Sequence, residues 1–492
     1  MSRIVLCRPA PRYPLDPLQR AIFLHLTVQL RIYDRALQRM QPVCWPYFDP
    51  EYETLNQRVH PPRVAIDNHS CGKCTLVMVD SANKHGILLE VVQVLTELDL
   101  TIWKAYISSD GGWFMDVFHV TDQHGHKLTD EHMVDFIERS LGAKRAIATL
   151  EVQTCLGRTV GVQSIAEHTV IELTGADRPG LLSEISAVLT NLRCNIVAAQ
   201  LWTHNRRVAC VLYVVDEFTG GPVEDMQRLC AIKEQFCNIL RSSDDNKAPK
   251  VDFSMGLTHT ERRLHQMLFA DRDYEGSSPH SSISYRDRPE ISIKNCADKG
   301  YSMVNICSRG RPKLFFDTVC TLTDMQYVVF HATMDSEGPF SMQVYYIRHM
   351  DGCTLDTEGE RQRVTKCLEA AINRRVSQGI RLELYTTDRV GLLSDVTRVF
   401  HENGLSVERA DVTTQGTKAV NTFYVSNASG GPIEMEVLQA TQNEIGQQVL
   451  NVKGCPDFQT RYATDVLQKK SFSFGNLIKS QWEWFSSNLG LV

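Results

Sequence analysis

The chain has 492 residues, 43% apolar and 22% charged, a balance that supports hydrophobic cores and, at this length, about three to five domains. Its net charge of −6 has the wrong sign for a general polyanion binder, so nucleic acid is not an expected partner. No stretch approaches the roughly 18 uninterrupted apolar residues of a membrane-spanning helix, so no transmembrane segment is expected.

Residues 1–39 are an extension without an assigned role. They hold seven arginines from Arg3 to Arg39 against two acids, Asp16 and Asp34. That bias points toward an organelle transit peptide, but such peptides also need serine, and only Ser2 is present. An extension upstream of Met40 is the preferred reading, with the protein in cytoplasm, nucleus or both. Residues 40–72 form a proline/aromatic segment with Trp45, Tyr47, Phe48 and Tyr52. The fifteen cysteines are odd in number and lack the spacing of a disulfide framework, which indicates a reducing compartment. Cys71-Gly-Lys-Cys74 is the one close pair. A zinc site wants a second pair or suitably spaced histidines, so the two read as loop and strand-edge thiols, and neither a metal nor a cofactor is expected.

Beyond residue 72 the chain repeats itself. Asp177-Arg178-x-Gly180-Leu181-Leu182-Ser183 returns as Asp388-Arg389-x-Gly391-Leu392-Leu393-Ser394. Gly-Gly-Pro follows each, with Pro222 placed 42 residues after Gly180 and Pro432 placed 41 after Gly391. Two motifs at matched spacing identify an internal duplication. A weaker copy at 75–92 carries Asn83 and Gly86 at the Asp and Gly positions, and an eroded one carries Gly310 and Lys313. Four modules follow, at 73–152, 167–251, 300–378 and 380–453, with a polar linker at 252–298 between a first and a second pair and a tail at 454–492.

Each copy predicts the same elements. In module 2 a strand at Val170–Thr174 meets the turn, and Leu181, Leu182, Ile185, Val188 and Leu189 then mark one buried helix face. Asn195–His204 and Val208–Asp216 follow as a hairpin, and a second helix is expected over 222–240, with proline in its first turn. Module 4 repeats this as strands at 405–414 and 418–426 and a helix over 432–450. Strand–helix–strand–strand–helix–strand is the α+β, ferredoxin-like βαββαβ arrangement, whose open face and edges can pair with another copy. Between Arg375 and Asp388 there is room for one strand, so either module 3 lacks its last strand or 380–386 serves module 4. A short helix is expected in the linker from Thr260 to Asp273.

The turn carries the chemistry. Glycine there adopts dihedrals barred to other residues and lets a ligand approach the main chain. The helix's first amides attract a carboxylate, and an aspartate three residues earlier accepts from an ammonium group, which together suit a free amino acid. The structural alternative is that Gly180 and Gly391 complete tight turns and Asp177 and Asp388 are helix caps.

The D-R-x-G-L-L-S turn within a βαββαβ repeat resembles the ACT domain, a small regulatory module of amino-acid metabolism. Four copies without an attached enzyme, with W-P-Y-F-D-P-E-Y at 45–52 and T-E-R-R-L-H-Q-M at 260–267, resemble the plant ACT-domain-repeat (ACR) family over roughly residues 40–492. Related repeats end the bacterial uridylyltransferase that senses nitrogen status. The resemblance implies a non-catalytic sensor that binds an amino acid between modules and acts on a regulated protein partner or by ACT–ACT self-association. It places Asp177, Arg178, Gly180, Leu181 and Leu182, with Asp388, Arg389, Gly391, Leu392 and Leu393, around ligand sites. Asn195 and Leu405 would close a partner module's site. Asn83 and Gly86 hold the matching positions of module 1, where loss of the charge favours a structural role, and Gly310 and Lys313 put a site in module 3 in doubt.

Catalytic signatures are missing from the sequence: it has no phosphate-binding loop, zincin helix or nucleophile elbow. Asp271-Arg-Asp273 has the spacing of a metal-binding carboxylate pair but reads as solvated linker, and His124-Gly-His126 reads as a turn. The tail, with Phe472, Phe474, Trp482, Trp484 and Phe485, is apolar at mixed spacing and suits docking within the chain, a partner groove or a membrane surface. The rival to a sensor is an interaction scaffold whose modules only pair.

Overall fold

The computed structural model describes residues 62–453 apart from 83–85, 111–112, 143–151, 155–158, 161–167, 242–246, 255–258, 277–287, 297–299, 337 and 377–378. Expectations for the N-terminal 61 residues, Asn83 and the C-terminal tail lie outside the described residues.

Module 1 comprises β1 (Arg63–Asp67), β2 (Thr75–Ala82), α1 (Ile87–Glu97), β3 (Thr101–Asp110), β4 (Trp113–Thr121) and α2 (Glu131–Leu141). A short ribbon, β5 (Val152–Gln153) with β6 (Thr159–Val160), follows it. Module 2 is β7 (Thr169–Ala176), α3 (Leu181–Asn191), β8 (Cys194–His204), β9 (Arg207–Asp216), α4 (Met226–Ile239) and β10 (Lys250–Ser254). Helix α5 (Thr260–Ala270) and a 3-10 turn at Asp273–Glu275 lead on to module 3. That module has β11 (Glu290–Cys296), β12 (Tyr301–Arg309), α6 (Leu314–Asp324), β13 (Tyr327–Asp335), β14 (Phe340–His349) and α7 (Glu358–Asn373). Module 4 is β15 (Ile380–Thr387), α8 (Leu392–Glu402), β16 (Leu405–Gln415), β17 (Lys418–Asn427), α9 (Met435–Ile445) and β18 (Leu450–Lys453).

The modules form two pairs, but adjacent modules are not partners. One eight-stranded antiparallel sheet runs β1-β2-β4-β3-β13-β14-β12-β11, and the other runs β10-β7-β9-β8-β16-β17-β15-β18. Module 1 therefore joins module 3 through β3 and β13, while module 2 joins module 4 through β8 and β16. The expected first and second pairs are interleaved. The segment at 380–387 serves module 4, as one of the two sequence alternatives had it. Module 3 does not lack an edge strand: β11, inside the stretch read as linker, fills that place from before its first strand. In module 1, β1 does the same. Both helices expected after Gly-Gly-Pro start later, at Met226 and Met435, and α9 ends at Ile445, where Gly446 turns the chain (φ 120°) into β18.

All four first helices begin in one backbone state, with Gly86, Gly180, Lys313 and Gly391 left-handed at φ 82°, 81°, 63° and 79°. Each inter-module strand also carries a β-bulge seventeen residues after that turn, at Trp103, Val197, Phe330 and Glu408. The bulge raises local twist where two modules meet.

Burial follows layering. Strand β12 alternates half-buried and buried residues, as a sheet with one packed face should. Strands β7 and β9 are buried almost throughout, because α5 covers their second face: Leu264, Met267 and Leu268 pack on Val170, Trp202, Ala209 and Val211. The same helix meets the other sheet's helices through His265, which touches Trp202 on one side and Phe316 on the other. Asp271 and Asp273, read as solvated, are 5% and 1% exposed. Asp271 pairs with Arg207, and Asp273 receives Arg374 Nε and Nη2 at 2.8 and 2.6 Å. Arg375 bridges Asp317 at 2.8 Å and Glu261 at 2.7 Å with its guanidinium 4.5 Å from the Trp202 ring. A segment read as linker is thus a strap that clamps the two layers.

Candidate functional site

The two duplicated turns lie on opposite sides of the β8–β16 seam, each facing the other module. Below the module 2 turn lies a recess of about 320 Å³, lined by Asp177, Gly180 and Leu182 together with Thr397, His401 and Leu405 of module 4. Below the module 4 turn lies one of about 360 Å³, lined by Asp388, Gly391 and Leu393 with Thr190, Asn195 and Ile196 of module 2. Leu181 and Leu392 also reach these recesses. Asn195 lines the module 4 recess from module 2, and Leu405 lines the module 2 recess from module 4.

Neither aspartate caps its helix: the N-cap residues are Gly180 and Gly391, with no side-chain hydrogen bond at either. The amide of each aspartate instead donates to the hairpin turn of its own module, Asp177 N to Arg206 O and Asp388 N to Thr417 O, both at 2.8 Å. Asp388 Oδ2 accepts from Thr414 Oγ1 at 3.0 Å. Asp177 faces the bulge residue Glu408 across the seam. Burial and that second carboxylate push the Asp177 carboxyl up to about 7.

The arginines of the motif do different work. Arg178 forks onto Glu184 in the first turn of α3, six residues on, with Nη1 to Oε1 at 2.5 Å, and donates to Ile239 O at 3.1 Å. Arg389 meets Asp395 at 2.5 Å. Arg311 repeats the pattern with Asp317 at 2.7 Å and Ile372 O at 2.8 Å, in the module whose turn is eroded. The recurrence shows that the guanidinium braces the helix start.

The two recesses are unequal. A Cβ placed on Gly180 would sit 2.8 Å from His401 Nδ1, so that imidazole already packs against the turn. At Gly391 the nearest atom is Thr190 Cγ2 at 3.4 Å. His401 and Thr190 are positional equivalents, ten residues past their glycines, and the smaller residue leaves the module 4 turn freer. In module 1, a Cβ on Gly86 meets nothing within 4 Å. In module 3, Lys313 sends its ammonium to Glu261 of α5 at 2.9 Å and to Asp99 at 3.8 Å. Its turn is held by an interlayer ion pair.

Sequence reasoning missed His401, Glu408 and Thr190, since the repeat gives positions within a module but not which module faces which. It also passed over His119. That histidine lies opposite Leu76 in the β2–β4 register, and its Nδ1 is 3.5 Å from Cys74 Sγ. The His124 and His126 amides both donate to Asp122 Oδ1, and the two residues form the turn that was expected.

A family description, "ACR family N-terminal ACT domain", matches residues 70–148, and the ACT domain description matches 169–232 and 380–441. The chain is 56% identical over 455 residues to ACT domain-containing protein ACR3 of Arabidopsis thaliana, covering 89% of this chain and 99% of that protein. It is 54% identical over 449 residues to ACT domain-containing protein ACR4 of the same plant, covering 90% and 98%. A shorter likeness, 38% over 82 residues, joins 17% of this chain to 9% of a bifunctional uridylyltransferase/uridylyl-removing enzyme of Bradyrhizobium. Among the described residues no helix is long and apolar enough to cross a membrane. With four ferredoxin-like modules, two of them bearing the D-R-x-G turn, the chain belongs to the ACR family of ACT domain-repeat proteins.

Proposed function

We propose that the chain is a non-catalytic amino-acid sensor whose ligand sits at the seam between modules 2 and 4 and signals by altering how they pair. The observation that carries this reading is the Gly391 turn: an uncapped helix start, a carboxylate three residues before it, and Asn195 from the facing module, around about 360 Å³ of space. The α8 amides suit the ligand's carboxylate and Asp388 its ammonium. Asn195 offers both a donor and an acceptor from across the seam, so a ligand held there touches both modules. Ser186, Thr190 and Thr414 supply hydroxyls around it, which favours a short polar amino acid. Because the ligand bridges both modules, it stabilises the closed pair only by the amount that it prefers that arrangement.

Thermal melting of the full chain against the twenty amino acids tests this. At about 100 times its dissociation constant, a ligand adds about 2.7 kcal/mol. Asn195→Leu and Gly391→Asp should remove the shift while the apo melting temperature of Asn195→Leu stays close to wild type. The packing of His401 against Gly180 favours the scaffold reading for the other recess. If no amino acid at millimolar concentration moves the melt, pairing alone is the function and the sensor reading fails.

A further inference from the structure

We infer that Cys71, Cys74 and His119 form a binding site for a single zinc ion on the outer face of the module 1 sheet. The three donor atoms lie within 4.8 Å of one another. The sulfurs are 3.2 Å apart and Cys74 Sγ is 3.5 Å from His119 Nδ1. A tetrahedral zinc with Zn–S of about 2.3 Å and Zn–N of about 2.0–2.1 Å sets S···S near about 3.8 Å and S···N near about 3.5 Å. The pair of thiols needs to open by about 0.6 Å, and the imidazole is already at its distance from Cys74.

The strand register explains the convergence. Residue 119 pairs with Leu76, so Cys74 is its diagonal neighbour on the same face of the antiparallel pair. The loop carrying Cys71 is fixed independently of any ion: Asn68 Nδ2 donates to Leu128 O at 2.8 Å, Thr75 Oγ1 donates to Asn68 Oδ1 at 2.5 Å, and Lys127 Nζ donates to the carbonyls of Asn68 and Cys71.

Module 3 supplies an internal control. It keeps the same scaffold, with Asn295 Nδ2 donating to Leu355 O at 2.9 Å and Ser302 Oγ donating to Asn295 Oδ1 at 2.8 Å. Seven residues separate Asn68 from Thr75 and Asn295 from Ser302. At the positions of Cys71, Cys74 and His119, module 3 has Asp298, Tyr301 and Tyr346, and the two tyrosine rings pack edge to face with centroids 5.1 Å apart. The β11–β12 pairing and the Asn295–Ser302 anchor therefore form without a thiol–imidazole trio, so that trio adds chemistry which folding does not require. Soft thiolates with an imidazole select zinc over hard cations. Three protein donors leave the fourth position to water. Binding replaces the thiol protons, so the net change is Zn²⁺ entering and up to two protons leaving.

The test uses the full chain, reduced with a phosphine, stripped with a chelator and titrated with zinc against a chromophoric zinc indicator. The expected result is one tight equivalent that Cys71→Ser/Cys74→Ser loses and that Cys230→Ser/Cys353→Ser, at two exposed thiols, retains. His119→Ala should weaken that equivalent by about tenfold or more, and cobalt loading should give a thiolate charge-transfer band absent from the Cys71/Cys74 variant. Circular dichroism of the metal-free variants should match wild type, so that lost binding is not lost folding. Equal zinc stoichiometry in wild type and Cys71→Ser/Cys74→Ser, including none in either, overturns the site. Unchanged affinity in His119→Ala overturns its third ligand.

Discussion

Asp177→Asn is the sharpest probe of the seam. The Asp177 carboxyl rises from 3.8 to about 7 through burial and the facing Glu408. The folded state therefore holds its proton more tightly than the unfolded chain, so this contribution is full below pH about 4 and is lost as pH rises through 7. Between pH 5 and pH 7 the loss is at most about 1.4 kcal/mol for each step of one in pH, which over that interval sets an upper bound of about 3 kcal/mol. Solvent access and relaxation at a high effective dielectric reduce this to about 1–2 kcal/mol. Asparagine resembles the protonated form at every pH. The variant should gain on wild type by that amount between pH 5 and pH 8, or about 2–8 °C in Tm if modules 2 and 4 melt as a unit of their size. Glu408→Gln should reproduce part of the gain. A Tm difference that does not change with pH, or that shrinks at pH 8, would refute the assignment of a half-buried, protonated Asp177.

The strap between layers gives further expectations. Arg374→Ala strands the buried Asp273 carboxylate and should cost about 3–5 kcal/mol by chemical denaturation. Burial alone would raise Asp273, but Arg374 and His204 hold it well below the usual carboxylate range. Its contribution is therefore present above pH about 4 and disappears on further acidification, which hydrogen exchange across 260–270 should report as early opening. Trp202→Ala empties a fully buried site between the sheet and Arg375 and should cost about 3–5 kcal/mol in the same denaturation assay. Lys313→Gly should exceed Lys313→Ala in melting stability by about 1–2 kcal/mol, since both lose the Glu261 pair but only glycine is at ease at φ 63°.

What could be read from residues alone was local. Apolar spacing after Gly86, Gly180 and Gly391 marks a helix face because a helix repeats within a few residues. The hairpins and the duplicated turn are similarly self-contained. Burial of β9 on both faces also leaves a local trace, since that strand is an almost unbroken apolar run. The pairing of modules was not legible. Strands β3 and β13 lie more than 200 residues apart, and nothing in either names the other. Edge strands β1 and β11 precede their modules and are short, so a search anchored on the turn did not reach them. Asp271 and Asp273 look like linker carboxylates until Arg207 and Arg374 arrive from elsewhere. His119 escaped for the same reason: 45 residues separate it from Cys74, and only strand register closes the gap.

Interleaving also decides what becomes of an incomplete chain. A polypeptide that stops in the stretch after α5 carries modules 1 and 2, which share no seam, so both β3 and β8 present bare ladders that the second half would otherwise occupy. Such a product invites association with any available edge, including another truncated copy. During synthesis the first half must wait for the second, and once both seams close, a nick between the halves frees neither fragment. The molecule is laced rather than concatenated, which makes the whole length one unit of assembly.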